Sequence, residues 1–178
     1  LRLFIAALLP REIQSGIDEY IKTIRPRCEG VKWERREKLH ITLKFLGNVE
    51  DTKVNQISSI LSGIVDDKTS FSMEIQRFGG FPVLSSPRII FVGLTDNPSL
   101  SEIHETINNE LEPLGFEKER RKFIPHVTIG RVKSKMRVKG TIPPPVRVRF
   151  EINEIALMRS VPGRGGSVYT PLETFRLG

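Results

Sequence analysis

Apolar and polar positions alternate along two short runs, residues 39–46 (LHITLKFL) and 123–132 (FIPHVTIGRV). A period of two marks a half-buried strand. In the first run Leu39, Ile41 and Leu43 share one face and His40 and Thr42 the other. In the second, Val127 and Ile129 lie opposite His126 and Thr128. Elsewhere the period becomes helical: Ile13, Ile17, Tyr20, Ile21 and Ile24 predict a helix over residues 10–24, with Pro10 near its start and Pro26 beyond its end. Val54, Ile57, Ile60, Leu61 and Ile64 predict a second over 51–65. Asp96-Asn97-Pro98-Ser99 opens a third, running to about residue 114, where Pro113 and Gly115 stop it. Residues 2–9 and 88–94 read as buried strands, 31–34 as a short one, 71–78 as an alternating one, 146–159 as one long strand and 167–177 as the last. Gly79-Gly80-Phe81-Pro82 predicts a turn, residues 141–145 a stiff connector and residues 161–166 a glycine-rich loop. The pattern is α+β.

The two motif runs belong to a larger repeat. His40 and His126 are 86 positions apart, and the same shift carries Arg2 to Leu8 onto Arg88 to Leu94, Ile17 onto Ile103 and Ile21 onto Ile107. Each half therefore reads strand, helix, then a strand bearing His-x-Thr. The period is too long for a solenoid and suits a duplicated lobe. Two such strands side by side would put two imidazoles and two hydroxyls in one groove. That set supplies a general acid, a general base and donors for an oxyanion without a metal.

Composition narrows the class. Hydrophobic residues at 38% and charged residues at 28% describe a globular chain, long enough at 178 residues for a real core. No apolar run is long enough to span a bilayer. Residues 3–9 are apolar, but Pro10 and Arg11 follow without a small-residue cleavage site, so this run reads as a strand rather than a signal peptide. One cysteine, Cys28, excludes an internal disulfide and a cysteine metal cluster and fits a reducing cytoplasm, the expected location. Lys and Arg exceed Asp and Glu by 28 to 21, and the net charge of +7 favours a polyanionic partner such as RNA over a merely solvated basic surface.

With these motifs in hand, the chain resembles the 2H phosphoesterase superfamily, and within it the RNA 2',3'-cyclic phosphodiesterase (2'-5' RNA ligase) family. The matching segments are RLFIAALLP, LHITLKFLGNV, PRIIFVGL, FIPHVTIGRV and the tail SVYTPLETFRL, spread over nearly the whole chain. The resemblance implies two pseudo-symmetric lobes within a single bilobal domain over residues 1–178, each a largely antiparallel sheet with helices on its outer face and the active groove between them. It implies metal-independent hydrolysis of a terminal 2',3'-cyclic phosphate on RNA to a 2'-phosphate, with no cofactor. His40 would be the proton donor and His126 the proton acceptor, roles that would reverse for ligation, while Thr42, Thr128 and Arg131 would hold the phosphate. The expected partner is an RNA end bearing the cyclic phosphate, tRNA fragments included, acted on by a monomer with no membrane association. Two other readings stay open: a 2'-5' RNA ligase joining tRNA halves, and a non-catalytic RNA- or nucleotide-binding module.

Several residues carry a second reading. Strict alternation puts Arg131 on the face opposite His126, so it reaches a phosphate only if the strand ends or bulges near Gly130. The same alternation puts Lys44 beside His40 and Thr42 as a candidate RNA contact, or else in solvent. Arg164, in the loop 162–166, is a second candidate contact, although that loop reads first as a hairpin turn. Trp33 is either a base-stacking platform or core. The run from Glu117 to Lys122 is either a backbone-tracking segment or a solvated loop. His104, between Glu102 and Glu105, reads as surface, and Cys28 as structural.

Overall fold

A computed structural model describes residues 1–178. Its strands are β1 (Arg2–Leu8), β2 (Cys28–Trp33), β3 (His40–Asn48), β4 (Phe71–Phe81), β5 (Ile89–Leu94), β6 (His126–Val138), β7 (Arg149–Ile152), β8 (Glu154–Val161) and β9 (Val168–Arg176), with helices α1 (Arg11–Ile24), α2 (Asp51–Val65) and α3 (Pro98–Leu111). They form two antiparallel sheets, ordered β3-β1-β8-β9 and β2-β6-β5-β4-β7. The predicted α+β class holds, and so does the repeat: β1 with β3 in one sheet matches β5 with β6 in the other.

All three helices form as their spacing requires. α1 buries Ile13, Ile17, Ile21 and Ile24, and α3 buries Leu100, Ile103, Ile107 and Leu111. Asn97 caps α3, its side-chain oxygen accepting from the Ser99 and Leu100 amides, with Pro98 in the first turn where no amide is needed. These faces, Ile41 and Leu43 of β3, and Val127 and Ile129 of β6 belong to one continuous core. The apolar sides of both motif strands therefore face the helices and their His-x-Thr sides face away from them. A small second cluster of Phe4, Ala6, Ala156 and Met158 lies on the His40 side of the first sheet.

Three predicted elements come out differently. Residues 146–159 are two strands, not one: the chain leaves the second sheet at Ile152 and enters the first at Glu154. Both halves keep apolar faces, so nothing in the periodicity marks the change of sheet. Gly79, Gly80 and Phe81 continue β4 instead of turning. Their glycines serve close approach: a Cβ on Gly79 would sit 2.5 Å from the Phe91 ring, and one on Gly80 would sit 2.8 Å from Pro87. The shift of 86 is also one residue out for the first strand of each half. Ala6 faces Thr42 and Phe91 faces Thr128, so Ala6 corresponds to Phe91 rather than Val92.

Each motif strand carries a β-bulge at the same place. Thr42 and Lys44 face the consecutive residues Ala6 and Ile5, so Leu43 is the extra residue. Thr128 and Gly130 face Phe91 and Ile90, so Ile129 is the extra residue. Two adjacent buried positions result in each strand, Leu43-Lys44 and Ile129-Gly130. Beyond the bulge the alternation is reset, and the side chains that follow directly change face.

Candidate active site

His40 opens β3 and His126 opens β6, and these two strands approach each other although they lie in different sheets. The rings are held in the same way. His40 Nδ1 is 2.6 Å from the Lys38 carbonyl oxygen, and His126 Nδ1 is 2.7 Å from that of Ile124, each two residues upstream. A carbonyl can only accept, so each Nδ1 carries the proton and donates it. Each Nε2 is then bare in the neutral ring, ready to take a proton, or to donate one when the ring is charged. His40 Nε2 lies 2.9 Å from Thr42 Oγ1, whose hydroxyl donates to it while the ring is neutral.

Aromatic rings set the position of both imidazoles. Phe4 and Tyr169 pack on His40 with centroids at 5.0 and 5.5 Å. Phe81 and Phe91 pack on His126 at 4.9 and 5.2 Å. Burial pushes both histidines below their ordinary pKa. The bond to Lys38 and the Glu34 carboxylate push His40 back up, whereas charge on His126 and Lys38 lowers it further. For His126 the bond to Ile124 opposes burial and Arg77 reinforces it.

The paired bulges decide which neighbours join them. Past Ile129 the reset alternation swings Gly130 into the core, where a Cβ would meet Val31 at 2.6 Å, and turns Arg131 to the histidine face. There Arg131 Nε lies 3.5 Å from Glu34 Oε1. Past Leu43 the same device removes Lys44. Its ammonium is buried under α3, 2.6 Å from Asn108 Oδ1 and 2.6 Å from the Glu117 carbonyl, and burial lowers its pKa. The expectation that Lys44 lines the groove is therefore wrong, and Phe45 takes that place, 69% exposed and 6.1 Å from Phe4.

A cavity of about 510 Å³ opens beside His40, lined among others by Phe4, Trp33, Phe45, Arg131 and Tyr169. Trp33 is half-buried, packing against the core while also lining this cavity, so both of its sequence readings apply in part. Arg164 is exposed and absent from the cavity wall; the turn that carries it contributes Gly165, Gly166 and Ser167 instead. A larger cavity of about 780 Å³ lies beside α3 and contains none of the motif residues. His104, expected at the surface, is buried there and stacks on Phe123 at 4.1 Å, because residues 116–123 fold back over α3. The run 117–122 is exposed apart from two anchors, the Glu117 carbonyl and the Glu119 amide, which bond to Lys44 and Asn108. Cys28 is buried.

A family model described as the 2'-5' RNA ligase superfamily matches residues 12–164, which include both His-x-Thr strands. The chain belongs to that superfamily. It is 38% identical to the RNA 2',3'-cyclic phosphodiesterase of Thermotoga maritima over 75% of this chain and 71% of that protein. It is 34% identical to the protein of the same name from Methanocaldococcus jannaschii over 95% of this chain and 96% of the relative. The crystal structure of E. coli LigT complexed with 3'-AMP superposes with a TM-score of 0.84 at 28% identity, covering 99% and 97% of the two chains. The fold of two antiparallel sheets with few helices matches that structure. No helix is long and apolar enough to cross a membrane.

Sequence reasoning missed Phe4, Glu34, Arg77, Phe81 and Tyr169 as neighbours of the histidines. Phe4 and Phe91 lie in the first strands of the two halves, but at positions that the repeat does not match, since Phe91 corresponds to Ala6. Nothing local marks the others, which arrive from the segment after β2, from β4 and from β9.

Proposed function

We propose that this protein hydrolyses the 2',3'-cyclic phosphate at an RNA end to a 2'-phosphate and a 3'-hydroxyl, by paired-histidine acid–base catalysis. His126 Nε2 takes a proton from water as the water oxygen attacks phosphorus. The bond from phosphorus to the 3' oxygen breaks, and that oxygen leaves with the electron pair and takes a proton from His40 Nε2. Thr42, Thr128 and Arg131 hold the phosphoryl oxygens and meet the charge that gathers on them. The substrate's own negative charge favours the protonated form of His40, offsetting the burial that lowers its pKa in the free protein.

The observation that carries this reading is the matched tautomer of the two rings: Nδ1 bonded to a carbonyl and Nε2 left for chemistry in both halves. The names of the relatives point to the same reaction. Joining RNA ends through a 2'-5' linkage would use the same groove with a 5'-hydroxyl in place of water, and needs an acceptor held at high effective concentration. The test is incubation in EDTA with an oligoribonucleotide ending in a 2',3'-cyclic phosphate, followed by identification of the product's phosphate. A 2'-phosphate is expected; a 3'-phosphate, or no product, refutes the reading.

A further inference from the structure

The cavity beside His40 holds more positive charge than one phosphate needs. Arg2, Lys32, Arg35, Lys38 and Arg131 line it, against the single carboxylate of Glu34. That carboxylate is already shared: Lys38 Nζ is 3.4 Å and Arg131 Nε 3.5 Å from it, and it is only 12% exposed. Arg2, Lys32 and Arg35 take part in none of the ion pairs of this chain.

The turn between β8 and β9 presses against these unpaired cations. A Cβ on Gly165 would lie 2.6 Å from an Arg35 guanidinium nitrogen, and one on Gly166 would lie 3.2 Å from Lys32 Nζ and 3.9 Å from Lys38 Nζ. Gly166 has φ +117°, a conformation other residues avoid. Glycines at this turn therefore leave room for the unpaired Lys32 and Arg35 to converge at the cavity wall beside Lys38, while Arg2 lines the same cavity. Holding like charges together without counter-ions costs free energy, which a bound anion offsets. Arg131, which the proposed reaction assigns to the reacting phosphate, lines the same cavity.

We propose that Arg2, Lys32 and Arg35 form a second phosphate site, one that takes the phosphodiester linking the terminal nucleotide to the preceding one. The preferred substrate is then an oligoribonucleotide ending in a cyclic phosphate rather than a nucleoside cyclic phosphate. This rests on the hydrolytic reading above and specifies its substrate.

The experiment compares three substrates: adenosine 2',3'-cyclic phosphate, the ApA dinucleotide ending in a cyclic phosphate, and the same dinucleotide with an uncharged methylphosphonate linkage. Charge-assisted contacts to one phosphate give an expected preference of about tenfold to a hundredfold in kcat/KM for the charged dinucleotide, mostly through KM. Its salt dependence should be steeper by roughly 0.7 in log–log slope. The double variant Lys32→Gln, Arg35→Gln and the methylphosphonate should each bring the preference close to one. Equal turnover of monomer and dinucleotide by the unmodified protein overturns the proposal, as does a preference that survives loss of the linkage charge, or a double variant that loses both substrates equally. If no cyclic phosphate is opened, the hydrolytic reading fails by itself. Binding of the charged and uncharged dinucleotides ending in a 2'-phosphate then decides the second site, and equal affinities overturn it.

Discussion

His40 and His126 sit in equivalent strands, each with Nδ1 tied to the carbonyl two residues upstream and each beside a bulge, yet different charged groups act on the two rings. His40 has the Glu34 carboxylate near it, held by Lys38 and Arg131. His126 has Arg77, whose side chain crosses Gly93 and lies 5.2 Å over the Phe91 ring. The backbone repeats and the electrostatics do not. A carboxylate favours a charged imidazole and a guanidinium a neutral one, which is the division of labour that the proposed mechanism asks of the two copies of the motif.

The largest effects should come from the rings themselves. His40→Ala and His126→Ala are each expected to lower kcat by about 10²–10⁴-fold, with the double variant little worse than the more damaged single one, because the two act in one step. Near-normal turnover by either single variant would remove the basis of the comparison.

Arg131 and Phe45 occupy equivalent positions just past the two bulges, one charged and one aromatic. Arg131→Met should reduce kcat/KM by roughly 10²-fold through lost stabilisation of the phosphoryl oxygens. Phe45→Leu should leave kcat unchanged, since its ring lies 6.1 Å from Phe4 and bonds to nothing in the reaction. Equal losses in kcat would mean that these positions do not divide the work as proposed.

Lys44, displaced from the groove, should behave as a structural residue. Lys44→Met leaves the Glu117 carbonyl without its partner and is expected to cost about 1–3 kcal/mol in stability, read from urea unfolding, with kcat retained. A catalytic defect without a stability defect would contradict its placement.

The smallest and most discriminating effects are on pH dependence. The proposed mechanism needs His126 neutral and His40 charged, so the rate is expected to rise through the pKa of His126 and fall through that of His40. Glu34→Gln removes a group that raises His40, moving the alkaline limb to lower pH. Arg77→Met removes a group that lowers His126, moving the acidic limb to higher pH. The two variants narrow the pH–rate bell from opposite sides; the same limb moving in both would reverse the assignment of acid and base. Stability follows the same groups. His40, His104 and His126 all have folded-state values below the ordinary 6.5, so the unfolded chain binds more protons below that value. Thermal midpoints should fall as pH drops below about 6.5 and level off once the lowered folded-state values are passed.

Much of the site was legible in advance for one reason: a strand's two faces are set by local sequence, so the His-x-Thr pairs announced their own orientation. The same rule was insufficient past Leu43 and Ile129. A bulge depends on how two strands pair, and neither residue differs in type from its unbulged neighbours. That single feature reversed the expectation for Lys44 and supplied the condition Arg131 required. His104 was misread because helical spacing between two glutamates cannot reveal that a later segment will fold over it.

The chain by itself determined the α+β class, the three helices, the duplication and the pair of histidines, since all follow from periodicity and residue type over a few turns or strands. Tertiary structure alone decided which residues surround each ring: Arg77, Phe81 and Tyr169 come from strands distant in sequence, brought in by sheet order, and Glu34 from the segment that follows β2. The physical reason is range. Burial patterns are written locally, whereas the field at an imidazole sums charges from every element that packs near it.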